Sequence, residues 1–339
     1  MNKTATLVYP EIKYPSGTKS YVNNTLQGLA KIGVKYETIS IKKVELQFLG
    51  KPRLGILFQY LGSLMKRGST KVVHSLSPEV TIKNTNVVTI HDVIPYVRPD
   101  IYINSLYDKA AFALNFSRAL KSERILVSTN VGARDLIDHS QVDQEKIRVI
   151  PHSIDHEKFY PASQNPYPKD NKIRALMISD FNPRKRLDKI VEKLARDDEI
   201  IFYHIGPNQG WENQRQRVLE ISRDSKNIFF LGPQPDEELR KYLTYADIFV
   251  YLSEHEGFGL PPLEAMACGT NVLVSDIPVF KEVLGDYAHY VSISGFNRDD
   301  IHRAVRNKLP SESLRKYSQN FSVEAHAKRL LSVYNEFLG

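Results

Sequence analysis

Residues 245–275 read YADIFVYLSEHEGFGLPPLEAMACGTNVLVS. The apolar run Ile248-Phe249-Val250-Tyr251-Leu252, bounded by Asp247 and Ser253, has the length and side chains of a buried strand. A glycine-containing loop follows from Glu254 to Leu260. Pro261-Pro262 suits the first turn of a helix, where no amide donor is needed. Leu263 to Cys268 extend that helix, Gly269 is placed to close it, and Val272-Leu273-Val274 is the next strand. This order aims the amides of Gly257, Phe258, Gly259 and Leu260, with the positive end of the helix, at one spot that suits a phosphate. Glu256 in the loop and Glu264 in the helix, with seven residues between them, would repel a phosphate. Carboxylates instead accept paired hydroxyl donors of the kind that ribose and sugar rings offer. The ligand so described is a phosphate flanked by two polyols: a nucleotide-sugar.

Glu256-Gly-Phe-Gly-Leu-Pro-Pro-Leu-Glu264, followed by Ala265-Met-Ala-Cys-Gly269, resembles the E-x7-E motif of the retaining glycosyltransferases of family 4, the group 1 glycosyl transferases with the GT-B fold. The plainer reading of the same stretch is a βαβ unit with two solvated glutamates.

A chain of 339 residues suggests two domains of ordinary size. Its 42% hydrophobic and 25% charged residues are those of a globular protein. No apolar run approaches the ~20 residues that span a bilayer, and no basic-then-apolar leader opens the sequence. The single cysteine, Cys268, forms no internal disulfide. These features predict a cytoplasmic protein. Residues 1–160 hold 22 Lys and Arg against 14 Asp and Glu, so the whole net charge of +7 lies in the first half. Between Lys42 and Lys71, seven basic residues (Lys42, Lys43, Lys51, Arg53, Lys66, Arg67, Lys71) face one acid, Glu45. An anionic partner for the first half follows.

Ala5-Thr-Leu-Val8 predicts the first strand, and Pro15-Ser-Gly17-Thr18 a loop before a helix. In the family this loop is glycine-rich and covers the donor phosphates; here Gly17 and Thr18 remain, and a plain β–α turn is the alternative. Residues 52–67 place Leu54, Leu57, Phe58, Leu61, Leu64 and Met65 at helical spacing. Either a core helix with solvated basic ends or an interfacial helix on anionic lipid fits that pattern. Val87-Val-Thr-Ile90 delivers His91-Asp92 to the end of a strand, where open α/β sheets bind ligands. The run resembles the family's His-Asp segment, which implies that His91 contacts the transferred sugar. Pro151-His-Ser-Ile-Asp155 stands where the family has Pro-Asn-Gly-Val-Asp, so His152 and Ser153 replace the Asn and Gly. His152, Asp155, His156 and Glu157 lie on a turn with no shared rigid face, which argues against a metal site there.

Phe159 to Lys172, with three prolines, is the best linker in the chain. Strands at 173–178, 200–205 and 228–231 then alternate with helices from about 212 and 236, the order of a second Rossmann-like domain. Ser179-Asp-Phe-Asn-Pro-Arg-Lys-Arg186 follows its first strand. The resemblance implies that Arg184 and Lys185 clamp the donor diphosphate, with Arg186 as a stand-in where Ser179-Asp180 depart from the family's pattern. It likewise implies that the backbone at Gly232 meets the nucleotide base. Val323 to Leu338 carry a helical apolar stripe, and in the resembled fold this last helix crosses back onto the first domain.

The expected architecture is α/β: a GT-B fold of two Rossmann-like domains facing each other across a cleft. The N-terminal acceptor domain spans 1–160 and the donor domain 161–320, and the crossing helix spans 321–339. The expected activity is retaining transfer of a hexosyl unit from a nucleotide-sugar, a UDP- or GDP-sugar first, to a hydroxyl acceptor. That acceptor is a glycan, lipid-linked or a small molecule, and a lipid-linked or anionic one suits the basic first half. His91, Glu256, Lys185 and Arg184 carry the reaction. Gly17, Gly257, Phe258, Gly259, Leu260, Glu264 and Gly232 bind the donor. No Asp-x-Asp occurs in the chain, so no metal and no cofactor is expected, and no nucleic-acid motif stands out. Peripheral attachment to an anionic membrane surface fits the basic first half. The alternatives are a sugar-nucleotide epimerase of the same fold and a non-catalytic polyanion-binding protein.

Overall fold

A computed structural model describes residues 4–12, 16–42, 63, 65–102, 106–208 and 210–339. Pro15, Lys43 and most of the 52–67 segment, including Leu54, Leu57, Phe58, Leu61 and Leu64, lie outside the described residues. Among the described residues the chain divides into two compact units, one of Met1–Ser153 with Val323–Gly339 and one of Ile154–Ser322.

In the first unit, β1 (Ala5–Pro10), β2 (Tyr36–Ile41), β3 (Val72–Ser75), β4 (Val87–Thr89), β5 (Arg124–Val127) and β6 (Ile147–Val149) form a parallel sheet in the order β2-β1-β3-β4-β5-β6. Its central strands are apolar runs because helices cover both faces. Leu7, Leu76 and Leu126 pack on one side with Tyr21, Leu29, Leu330 and Tyr334. Val88, Ile125 and Val127 pack on the other with Phe116 and Leu136. The first helix runs from Gly17 to Lys31, capped by the Ser16 hydroxyl on the Lys19 amide at 3.2 Å. Gly17 and Thr18 are therefore helical, not loop residues: the serine ahead of them is the better cap. The closing helix, Val323–Leu338, packs against this first helix. Gly28 permits the approach, since a Cβ there would stand 2.3 Å from the Val323 carbonyl oxygen. Glu336 ties the far end to Arg124 and Arg148 at 2.5 and 3.0 Å.

The second unit holds β7 (Ile173–Ile178), β8 (Ile200–Ile205), β9 (Ile228–Gly232), β10 (Ile248–Tyr251), β11 (Val272–Ser275) and β12 (His289–Val291), parallel in the order β12-β11-β10-β7-β8-β9. The first strand lies in the middle and the order reverses between β7 and β10, the arrangement that opens a ligand crevice at the strands' C-terminal ends. The proline-rich stretch 159–172 packs onto this unit. Phe159 and Tyr167 are buried, and the Tyr167 hydroxyl donates to the Tyr242 carbonyl at 2.9 Å. Its prolines mark irregular backbone, not a free tether.

Candidate active site

The loop after β7 is built to hold two cations side by side. The Asn182 side chain accepts from the Arg184 amide at 3.1 Å, and Pro183 opens a single 3₁₀ turn through Lys185. Arg186 then takes a left-handed conformation, φ 47°, before the helix Leu187–Leu194. The loop after β10 meets this turn from the neighbouring strand. The Glu254 amide donates to the Arg184 carbonyl at 2.9 Å. Ser253 is pinned in turn by Ser275, whose hydroxyl accepts from the Ser253 amide at 2.9 Å.

Glu256 lies where the two loops meet. Its Oε1 accepts from Arg184 Nη1 at 2.6 Å and from Lys185 Nζ at 2.5 Å. Arg184 also reaches the Ser253 hydroxyl at 3.1 Å and the His255 carbonyl at 2.5 Å. Lys185 donates to the Tyr251 hydroxyl and lies 4.6 Å from that ring's centre. Burial alone would raise the Glu256 carboxyl, but Lys185 and then Arg184 outweigh it and hold the group at about 2. Burial also lowers the Lys185 ammonium, and Glu256 only partly offsets this. The Glu256 shift reflects its two cations; the Lys185 shift is set first by burial, with Glu256 and Asp180 opposing it and Arg184 adding to it. Arg184, Lys185 and Glu256 together carry one positive charge at the switch point of the sheet, partly offset by the Asp180 carboxylate that acts on Lys185, and this charge suits an anion.

Next to it, the helix Leu260–Ala267 starts from Gly259 at φ 98°. A Cβ at Gly259 would come within 2.7 Å of Phe280 Cε1, so only glycine fits this entry. Pro261 and Pro262 carry no N–H, so the donors of the first turn reduce to the amides of Gly259 and Leu260. Glu264 lies one turn in. Among the described residues its carboxyl receives no hydrogen bond, and burial pushes it up to about 7, against a lowering by Lys158. Gly232, φ 69°, ends β9 with the Asn208 side chain against it, a Cβ there meeting Nδ2 at 3.0 Å. The structure thus groups Arg184, Lys185 and Glu256 directly, with Gly257, Phe258, Gly259, Leu260 and Glu264 on the adjoining loop and helix. Arg186 is turned away from them, held by Glu254 at 2.7 Å and Asp188 at 3.3 Å.

Gly17 and His91 belong to the first unit. His91 follows β4, its Nε2 2.9 Å from the Leu76 carbonyl and its Nδ1 3.3 Å from His152 Nε2.

A family model described as Glycosyl transferases group 1 matches residues 161–325. The O-antigen chain mannosyltransferase RfbU of Salmonella typhimurium is 30% identical over 248 residues, 71% of this chain and 67% of that protein. The chain belongs to the glycosyl transferases group 1 family. Its fold is shared with the sucrose-phosphate synthase of Thermosynechococcus elongatus (TM-score 0.81, 18% identity, 98% and 99% of the two chains). The same fold occurs in Anabaena HepE in complex with UDP and glucose (TM-score 0.70, 13% identity, 98% and 99%). It is the GT-B fold, two α/β units each built on a parallel sheet.

In this glycosyltransferase, two residues of the clusters above were not legible as such in the sequence. Tyr251 reads there only as a strand residue, yet its hydroxyl takes the Lys185 ammonium. His152 reads only as a replacement for Asn, yet it bonds His91. For Tyr251 the signal was available: a polar tip at the C-terminal end of a strand whose other residues are aliphatic or Phe.

Proposed function

We propose that this glycosyltransferase moves a hexosyl unit from a nucleotide-sugar to a hydroxyl acceptor, with retention at the anomeric carbon and without a metal ion. The observation that carries the reading is the buried Arg184–Lys185–Glu256 cluster, with its surplus positive charge beside the Leu260–Ala267 helix N-terminus. The hexosyl unit agrees with RfbU's being a mannosyltransferase, and the donor class with the UDP and glucose in the HepE structure.

The hard event is departure of the diphosphate, and fixed positive groups stabilise the charge that forms. Lys185 and Arg184 exceed Glu256 by one charge, so a diphosphate meets net positive charge there. The bond from anomeric carbon to phosphate oxygen breaks. The acceptor oxygen bonds to the same carbon from the same face, and its proton passes to the departing phosphate oxygen. Glu256 favours the positive charge growing on the ring and holds the sugar's hydroxyls, His91 contacts the sugar, and Glu264 accepts from the ribose hydroxyls. Two experiments test this. A thermal-shift panel of UDP-, GDP- and ADP-sugars should single out one base, since ligand at 100 times its Kd adds ~2.7 kcal/mol. Proton NMR of the first-formed product should show the donor's own anomeric configuration; the opposite one, or donor turnover without acceptor, refutes the reading.

Glu264 makes donor affinity pH-dependent. A carboxyl titrating at about 7 accepts two hydroxyls only when ionised, so donor Kd should fall as pH rises from 5.5 to 8 and level off above. Glu264→Gln should weaken donor binding and flatten that profile. The same group, raised from its unfolded value, favours folding while protonated and loses that contribution as pH rises through 7. Glu264→Gln should therefore be more stable than wild type at pH 8, by about 1–3 kcal/mol. A donor Kd that does not move with pH in wild type counts against the ribose role.

The reading includes an anionic or lipid-linked acceptor for the basic first half. Lys42, Lys66, Arg67 and Lys71 are exposed, and among the described residues no helix is long and apolar enough to cross a membrane. Binding to vesicles with anionic lipid should appear at low salt and fade as salt screens it. Neutralising Lys42, Lys43, Lys66 and Arg67 together should abolish it and leave donor affinity intact. Equal binding to neutral vesicles ends the membrane reading.

A further inference from the structure

Three histidines of the first unit share one aromatic platform. The Tyr21 ring lies 4.8 Å from His91, 4.6 Å from His152 and 5.4 Å from His326, centre to centre. Tyr21 itself is fixed by its hydroxyl to Thr89 at 2.8 Å. The partners of each ring dictate where its proton sits. A carbonyl only accepts, so His91 Nε2, 2.9 Å from the Leu76 carbonyl, carries the hydrogen. Burial keeps the ring neutral, its ordinary value lowered despite Glu79 and Asp92. Nδ1 is then a bare acceptor. The atom facing it at 3.3 Å is His152 Nε2, which must therefore be the donor. His326 repeats the logic one step back: its Nδ1 donates to the Pro151 carbonyl at 2.7 Å, the residue before His152. The backbone just after His152 is also held, the Ser153 carbonyl accepting from the Asn24 amide group at 2.6 Å.

We propose that His152 is a positioning residue for His91: its Nε2–H, donated to His91 Nδ1, is the second point that, with the Leu76 carbonyl on Nε2, holds the His91 ring in one orientation. This rests on the reading of His91 as a sugar-contacting residue. Without His152 the Leu76 carbonyl still keeps the proton on Nε2, but the ring has lost its second anchor and swings about that bond, so the edge that meets the sugar is no longer held in one place. The Asn that the family has at this place is too short to supply the same bond, because its amide nitrogen reaches only as far as a histidine Nδ1. A glutamine amide nitrogen reaches as far as Nε2.

The test uses the full chain labelled with ¹⁵N-histidine, together with kinetics of His152→Leu, His152→Asn, His152→Gln and His91→Ala. Two-bond ¹H–¹⁵N spectra of the wild type should show His91 and His152 each protonated on Nε2. In His152→Leu and His152→Asn the His91 proton should stay on Nε2, while the Nδ1 resonance moves towards that of a bare acceptor nitrogen that has lost its donor. The kcat should fall about 10- to 100-fold, while donor KM stays within about twofold. His152→Gln should return the wild-type His91 Nδ1 resonance and most of kcat, and it carries the test if His152→Leu does not fold. A wild-type His91 protonated on Nδ1 overturns the proposal whatever the kinetics. So does full kcat in His152→Leu while His91→Ala is impaired, which spares the role of His91. Full kcat in His91→Ala instead removes that role, and the proposal with it.

Discussion

Lys185→Ala lowers the initial rate of transfer by at least about 100- to 1000-fold, the usual cost of losing one preorganised donor at a developing oxyanion. Lys185 is 7% exposed, and its ammonium is fixed between Glu256 Oε1 and the Tyr251 hydroxyl. No reorganisation is needed when charge moves onto the departing phosphate. Alanine removes the charge and leaves Glu256 with Arg184 alone, so the surplus that favours an anion disappears. Lys185→Arg should not restore the rate, because a planar fork replaces a compact point charge in a closed space. Excess EDTA should leave the wild-type rate unchanged. Initial rates of wild type and both variants, with and without chelator, check all three statements. Loss of wild-type activity in EDTA with recovery in magnesium or manganese would sink the cationic clamp.

Glu256→Gln should destabilise the protein by about 3–5 kcal/mol, the cost of leaving a buried charge without its partner. Here two cations lose the same carboxylate. The pH dependence identifies the cause. Glu256 titrates at about 2 in the folded protein against an ordinary 4.5. Its stabilisation is therefore complete above the unfolded value and lost as pH falls from about 4.5 towards 2. Lys185 works the other way: its lowered value is a cost at neutral pH, which fades as pH approaches 10.5. Urea unfolding of wild type and Glu256→Gln from pH 2 to 8 should show a gap that is widest near neutrality and closes in acid. Transfer should also slow in Glu256→Gln with donor binding less affected, the reverse of Glu264→Gln. A pH-independent gap would mean that the glutamine disturbs packing, not charge.

Much of the second unit was legible in the chain. The strand over 200–205 and the helices from about 212 and 236 stand where the alternation of elements along the chain places them, at Ile200–Ile205, Glu212–Ile221 and Asp236–Tyr245. The loop, double proline and closing glycine around Leu260–Ala267 were legible as well. These features depend on neighbours within a few residues: proline's missing N–H, glycine's access to positive φ, the period of side chains along a strand. The family motif adds spacing on one element, which is again local.

What the tertiary structure alone decided is which charges meet. Arg184 and Lys185 lie 72 and 71 residues before Glu256, and they touch it because β10 returns to lie beside β7. The same adjacency brings Glu254 to Arg186, which also pairs with Asp188 two residues on. Burial raises both Glu256 and Glu264, alike in the sequence, but Lys185 and Arg184 reverse it at Glu256, so one is held at about 2 and the other pushed to about 7. His152 and His91, 61 residues apart, become partners in the same way, at the ends of β6 and β4. Strand order and depth of burial are properties of the whole packed chain. Electrostatic energy depends on both through distance and dielectric, so no window of sequence contains it.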